Sequence, residues 1–440
     1  MKILLASDVY KYSMNGAAGV VINLADELRS LGHDVKVLTM SDSKDGFQKG
    51  DDYYLPSYAT PAYPDLRQSL VRRHPYIEEI KEWRPEVIHL HTEGSAARIA
   101  RSIAKAVGAP IVMTMHTDYA KFAFHEYSEI ALVKGLCTVL TAFFYHGAAA
   151  MTTPSKKAEE LLKSYKYKNP VYVIPNGLKL ERFQKDYLEG ERAALFDHLH
   201  IPDNKKTFVC VSRLSAEKNI EELLDCFALL VQKEPDAHLL LVGDGPDMNN
   251  LVKRSEKNGL TKNVLFTGRM PQDELYRYYK AGIAFLSAST FEMNSLTYLE
   301  ALACGLPLIC RDDPCLEGVL DDGKNGFAYR TPEDFVEKCE LLINDPDMQA
   351  EFARVSLERS EEYSDRNCAL RMLKLYEFVT EKDPAKKDTW EKDAAENDTA
   401  PNDAAENDAA QNDAAENDTA QKGSAEKETA KNGTAQNDTE

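Results

Sequence analysis

Four stretches gather residue types that can do chemistry, each where an apolar run gives way to a helical pattern. In Val211-Ser212-Arg213-Leu214-Ser215-Ala216-Glu217-Lys218-Asn219, Arg213 leaves a strand and Lys218 enters a helix. Such a pair can hold a diphosphate from two sides, the guanidinium as a planar fork and the ammonium as a point charge. A solvated charged loop has the same composition. The run Thr290 to Gly305 places Glu292 before a helix start and Glu300 about two turns further on. That spacing is too wide for a shared proton, but it suits two acceptors for hydroxyls on either side of an anion at the helix N-terminus near Asn294. Glu300, among Leu296, Leu299 and Leu302, is an odd carboxylate for an apolar helix and calls for a partner. In Met115-His116-Thr117-Asp118-Tyr119, His116 ends a strand and can donate to a hydroxyl or shuttle a proton, although a satisfied structural histidine has the same signature. His89 and His91 sit at a similar strand end and are read as structural. The loop Ser7 to Gly19, with Gly16, is rich in small residues and runs into a helix, which fits either a phosphate-approaching backbone or a plain turn.

The elements that position these loops alternate in type. Short apolar runs at Lys2–Ala6, Val35–Leu38, Val87–Leu90, Ile111–Met115, Met151–Thr153 and Val171–Ile174 form a first set. Thr207–Val211, Leu239–Val242, Val264–Thr267, Ile283–Leu286 and Leu308–Cys310 form a second. Helical patterns lie between them, Ala96–Val107 for example. Apolar strands without strict alternation, separated by helices, predict parallel sheets covered on both faces. The polar stretch from about Leu178 to Lys206 reads as a link. Two Rossmann-like domains facing a cleft follow, with ligands expected beyond the carboxyl ends of the strands.

Composition narrows the class of function. The chain has 440 residues and a net charge of -19, of which residues 391–440 contribute -10 and residues 1–390 contribute -9. An acidic balance argues against a nucleic-acid binder. The eight cysteines show no C-x-x-C pair and no metal-ligand spacing, which predicts free thiols in a reducing cytoplasm. The opening apolar run is too short for a signal core, and the longest such stretch, about Gly135 to Tyr145, falls short of a membrane span. From Asp393 a ten-residue unit recurs with alanine as its only apolar residue, so residues 381–440 are expected to form a disordered acidic tail. The only Asp-x-Asp before that tail, Asp345-Pro346-Asp347, is read as helix capping rather than as a metal site.

In order and spacing, the chain from Met1 to about Val379 resembles the retaining nucleotide-sugar glycosyltransferases of family 4, which have the GT-B fold. The resemblance is carried by Asp8-x-Tyr10 with Asn15-Gly16, Gly32-His33-Asp34-Val35, Met115-His116-Thr117, Pro154-Ser155 and Ile174-Pro175-Asn176-Gly177. It continues in Arg213-Leu214-x-x-Glu217-Lys218-Asn219, Val242-Gly243-Asp244-Gly245-Pro246, and Glu292-x7-Glu300 with Ala303-x-Gly305-x-Pro307. Within that family, Leu296-Thr297-Tyr298-x-Glu300-Ala301 looks most like the diacylglycerol glucosyltransferases.

The resemblance implies an α/β GT-B architecture with an acceptor-binding domain over 1–180 and a nucleotide-sugar domain over 181–380 whose last helix packs back on the first. It places the donor diphosphate on Arg213 and Lys218, the ribose on Glu300, the transferred sugar on Glu292, and His116 beside sugar and acceptor. Gly16 approaches the phosphates, the base is read near Arg269 and Met270, and Asn294, Ser295 and Leu296 line the donor site at the helix N-terminus. Neither a cofactor nor a metal is expected. UDP-glucose is the favoured donor, with GDP-mannose second. The favoured acceptor is diacylglycerol or a related membrane lipid; a soluble or cell-wall glycan is the alternative. Two serines depart from the family pattern, Ser212 before the arginine and Ser295 between the glutamates, each where glycine is usual. They leave room for a non-catalytic, glycosyltransferase-like binding subunit, and a sugar-nucleotide epimerase on the same fold is a third class. A peripheral contact with an anionic membrane on the inner face of the plasma membrane is expected from Ile130 to Tyr145, with Lys134, beside Lys156 to Lys168, which includes Lys157, Lys163 and Lys166.

Overall fold

The computed structural model describes residues 1–10, 16–60, 63–116, 145–165, 167, 170–201 and 206–382. The segments Lys11–Asn15 and Thr117–Phe144, with Cys137, Lys134 and most of the apolar run from Ile130, lie outside the described residues. So do Lys166, Lys168 and the acidic repeats.

The first sheet holds β1 (Lys2–Ala6), β2 (Asp34–Ser41), β3 (Phe47–Lys49), β4 (Asp52–Pro56), β7 (Val87–Leu90), β8 (Ile111–Thr114), β9 (Ala150–Thr153) and β10 (Val171–Val173); a separate hairpin pairs β5 (Tyr58–Thr60) with β6 (Tyr63–Gln68). Its order is β10-β9-β8-β7-β1-β2-β4-β3, parallel throughout except where β3 runs against β4. The second sheet is built from β11 (Lys206–Val211), β12 (Ala237–Val242), β13 (Val264–Gly268), β14 (Ala284–Ser287), β15 (Leu308–Arg311) and β16 (Gly326–Tyr329), in the order β13-β12-β11-β14-β15-β16 and wholly parallel.

The apolar strands read as they do because both faces of the sheet are covered. Phe208, Cys210, Leu239 and Leu241 enter one core, whereas Val209, Val211, Leu240 and Val242, their neighbours in sequence, enter the core on the opposite face. The seven cysteines among the described residues are free and buried.

Two features differ from expectation. The stretch read as a polar link contributes Leu180, Phe183, Leu195 and Phe196 to a core of the second sheet, through a 3₁₀ turn at Leu180–Arg182 and a helix at Glu191–His198. The short strands β3, β4 and β16 widen the two sheets beyond what the apolar runs predict, and β5 and β6 add the separate hairpin. The last helix, Asp365–Thr380, returns to the first sheet: Tyr376 hydrogen-bonds His89, and Arg366 pairs with Glu27 at 3.6 Å. The return depends on Gly177, where a Cβ would lie 2.7 Å from Asp365 Cα. Asp345 caps the helix Pro346–Glu361 by accepting from Met348 N–H at 2.9 Å, as its spacing predicts. Among the described residues no helix is long and apolar enough to cross a membrane.

In both sheets the strand order reverses beside the first strand, between β1 and β7 and again between β11 and β14. Loops at such a reversal splay apart and leave a crevice at the carboxyl ends. Of the sequence-marked residues, Gly16 follows β1, Arg213 and Lys218 follow β11, and Glu292, Asn294 and Ser295 follow β14, whereas His116 follows β8 and Arg269 and Met270 follow β13.

Candidate functional site

The loop after β11 is shaped by its neighbour. Ser212 N–H donates to Val242 O and Leu214 N–H to Asp244 O, so residues 212–214 lie flat against the end of β12. Only glycine fits opposite. At Gly243, φ is +143° and a Cβ would lie 1.8 Å from Ser212 O; at Gly245 it would lie 2.2 Å from Leu214 O. This packing fixes the backbone of exposed Arg213. One 3₁₀ turn later, Asn219 adopts a left-handed conformation (φ 53°) and its amide donates to Glu222 at 2.6 Å and to Ala288 O at 3.2 Å. Asn219 thereby joins the β11 loop to the end of β14 and sets Lys218 between them.

Across that junction the Lys218 ammonium donates to Glu292 Oε1 at 2.5 Å. Burial alone would lower the Lys218 pKa, but the Glu292 carboxylate outweighs it and the net shift is upward. Lys218 is therefore a fixed cation. Glu300, one turn inside the helix Leu296–Ala303 and 5% exposed, has the partner its setting called for: Tyr279 Oη donates to it at 2.6 Å. Burial raises the Glu300 carboxyl to about 7 against this hydrogen bond, so near neutral pH it is poised between acid and carboxylate. Ser295 stands at the N-cap position, but its hydroxyl pairs with Thr297 Oγ1 at 3.0 Å rather than with a backbone amide, so it does not cap the helix as its residue type allows.

Asn294 faces the other lobe. Its side-chain oxygen accepts from Asn176 N–H at 3.2 Å, and its carbonyl accepts from Asn176 Nδ2 at 3.1 Å. Leu296 reaches the helix Gly16–Ser30, since a Cβ on Gly19 would lie 3.5 Å from Leu296 Cδ1. Gly16 is the exposed first residue of that helix. Arg269 is exposed and Met270 packs against the second-sheet core, both just after Gly268 (φ +71°), whose carbonyl accepts from Gly243 N–H at 2.9 Å.

In the first lobe, Asp8 at the end of β1 is buried and accepts from Thr92 Oγ1, Gly94 N–H and Ala96 N–H at 2.6, 3.0 and 2.8 Å. It anchors the start of the helix Ser95–Val107, a structural task. His116 follows β8, with its Nε2 3.1 Å from Nδ1 of His91 and the two rings stacked. Burial depresses His116 to about 4, so it is neutral at physiological pH and suits hydrogen bonding better than proton shuttling. His89 is satisfied between Tyr376 Oη at 2.6 Å and Thr114 Oγ1 at 2.7 Å, which makes it structural.

The structure thus brings Lys218, Glu292, Asn294 and Leu296 together where the strand order of the second sheet reverses, with Glu300 in the helix behind them. Arg213, Gly16 and Arg269 are exposed. Two contributors escaped the sequence reading, Tyr279 and Lys157. Lys157 was expected to face a membrane; instead its ammonium donates to Asp313 at 2.6 Å, Glu292 O at 2.9 Å and Thr290 O at 3.1 Å. Lys156 and Lys163 are also paired, with Glu317 at 2.7 Å and Glu159 at 2.5 Å. The three lysines of the cationic strip named above, Lys156, Lys157 and Lys163, each therefore face a carboxylate.

Known proteins share this organisation. A family model described as "Glycosyltransferase Family 4" matches residues 14–182, and one described as "Glycosyl transferases group 1" matches residues 191–358. The alpha-monoglucosyldiacylglycerol synthase of Streptococcus pneumoniae is 31% identical over 397 residues, covering 88% of this chain and 89% of the relative. The enzyme of the same name from Acholeplasma laidlawii is 28% identical, covering 88% and 99%. Among solved structures, Anabaena HepE in complex with UDP-glucose superimposes with a TM-score of 0.66 at 18% identity, covering 85% of this chain and 99% of that one.

Proposed function

The chain belongs to glycosyltransferase family 4, and on that premise we propose that it moves glucose from UDP-glucose to a hydroxyl of diacylglycerol with retention of anomeric configuration. The observation that carries the donor half is the Lys218–Glu292 pair at the reversal of the second sheet, which sets a fixed cation beside a carboxylate. A nucleotide sugar needs both, the cation for its diphosphate and the carboxylate for its sugar hydroxyls. The acceptor half is supported by the two diacylglycerol-directed relatives.

Departure of the nucleoside diphosphate develops negative charge on the leaving oxygen. Lys218 is in place before that charge appears, Arg213 joins from the rim, and the helix N-terminus at Leu296 adds its aligned amides. Fixed charges need no reorganisation in the transition state, and this is where their catalytic effect arises. Glu300 accepts from the ribose hydroxyls, Glu292 orients the sugar, and neutral His116 hydrogen-bonds sugar or acceptor. The acceptor attacks from the leaving-group face and a phosphate oxygen takes its proton, so no protein nucleophile is required. Since side-chain cations supply the charge, the reaction is proposed to need neither metal nor cofactor.

The test is transfer from UDP-glucose to dioleoylglycerol in mixed micelles with excess EDTA, the product analysed by proton NMR. An α-linked glucolipid is expected. A β-linked product would refute retention, transfer confined to soluble glycans would refute the lipid acceptor, and a strict requirement for added Mg²⁺ would refute the metal-free charge device.

A further inference from the structure

Residues 290–294, which carry Glu292, are held at both ends by the first 180 residues of the chain. At the far end Asn176 makes its two hydrogen bonds to Asn294. At the near end Lys157 spends all three ammonium hydrogens on Thr290 O, Glu292 O and the Asp313 carboxylate. The Lys157 side chain is 18% exposed and that of Asp313 8%, so the contact is largely shielded from water and weakly screened. Lys157 also lies in the first turn of the helix Lys156–Ser164, where the helix dipole disfavours a cation. The helix does not explain a lysine there. Its three acceptors from the second lobe do.

We propose that Lys157 is a positioning residue that acts through the Glu292 backbone, so that the sugar-contacting carboxylate is presented correctly only while the two lobes are together. This rests on the reading of Glu292 as the sugar contact. Lys218 holds the Glu292 carboxylate from within the second lobe, and Lys157 holds the same residue's carbonyl from the first. A residue held at both its carbonyl and its carboxylate has little freedom left, and reacting groups displaced by about 1 Å lose on the order of 10²-fold in rate.

The test uses the full chain with Lys157→Met, Lys157→Arg, Asp313→Asn and Lys156→Met. Lys157→Met is expected to lower kcat at least about tenfold, whereas UDP affinity by calorimetry stays within about twofold, because Arg213, Lys218 and Glu300 are untouched. Lys157→Arg, which keeps the charge, is expected to recover part of the loss. Asp313→Asn should move kcat the same way by a smaller factor and serves if Lys157→Met does not fold. Lys156→Met, which breaks an exposed pair with Glu317, should leave kcat unchanged. Amide hydrogen exchange across residues 289–296 is expected to quicken in Lys157→Met and not in Lys156→Met, a readout that needs no turnover. Unaltered exchange, kcat within twofold of the parent in both Lys157→Met and Asp313→Asn, or kcat and UDP affinity falling together would each overturn the inference. A parent chain that transfers no sugar would refute the proposed function instead, and the exchange measurement would still decide the role of Lys157.

Discussion

Lys218 and Arg213 are both cations of one loop, but burial separates what they contribute. Lys218 is held against Glu292, a pair with side chains 24% and 14% exposed, whereas Arg213 stands on the surface. Breaking a largely buried pair strands the remaining charge, so Lys218→Ala should lose stability as well as rate. Arg213→Ala should lose rate alone. Each is expected to cost on the order of 10²-fold in kcat/KM, with a lowered Tm only for Lys218→Ala, checked by steady-state kinetics beside calorimetry. Parent-like rates in both variants would remove the diphosphate assignment. Glu300 yields a pH dependence. Its folded pKa of about 7 lies above the ordinary carboxyl value, so the folded chain holds the extra proton between about 4.5 and 7. Its contribution to stability is therefore full below that window and is lost as pH rises through 7. Glu300→Gln should be the more stable form at pH 8 and gain little at pH 4. If the carboxylate receives the ribose hydroxyls, UDP affinity of the parent should rise roughly tenfold from pH 6 to 8 and stay flat in Glu300→Gln. A flat parent profile would argue against ribose binding by this group.

At the scale of elements, a glycine-rich turn positions a cation of the neighbouring loop through that loop's backbone. Gly243→Ala places a methyl group on Ser212 O and forces a left-handed φ on alanine, so it should cost at least about 2 kcal/mol of stability, with a Tm several degrees lower and kcat/KM reduced through Arg213. Unchanged melting and kinetics would mean that the two loops separate freely. Much of this layer was legible in the sequence. Runs such as Phe208 to Val211 face two cores at once, and so betray buried parallel strands without alternation. Composition hid the edges of the sheets and the segment before β11. Gly326–Tyr329 spans only four residues, and Leu195 and Phe196 are two apolar residues in a charged stretch whose burial is settled by tertiary packing. For the site, residue type and spacing marked Arg213, Lys218, Glu292 and Glu300. Lys157 and Tyr279 became visible only when remote segments met, since Lys157 is more than 130 residues from the carbonyls it binds. A lysine near an apolar stretch has the same local signature whether it faces a lipid surface or a loop of the other lobe.

At the scale of the whole molecule, charge opposes the lipid surface on which a diacylglycerol acceptor resides. Both the first 390 residues and the final fifty are net acidic, so an anionic bilayer repels the chain overall, and any attachment must be local and oriented. With Lys156, Lys157 and Lys163 paired to carboxylates, we propose that a bilayer contact would, among the described residues, fall on the surface after β6. There Leu70 is 80% exposed beside exposed Arg72 and Arg73. An apolar side chain flanked by cations suits such an interface: the leucine would enter the acyl boundary, and each arginine would contribute about 1 kcal/mol near an anionic surface. Flotation should therefore recover the chain with phosphatidylglycerol-containing vesicles at low salt and lose most of it at about 0.5 M salt, where the Debye length contracts to a few ångströms. Arg72→Glu with Arg73→Glu should abolish flotation and raise KM for diacylglycerol in vesicles, while leaving transfer to a short-chain, micelle-dispersed acceptor intact. Equal loss with both acceptors would place these arginines in the catalytic fold rather than at a membrane. Undiminished flotation of the double variant would assign attachment to another surface.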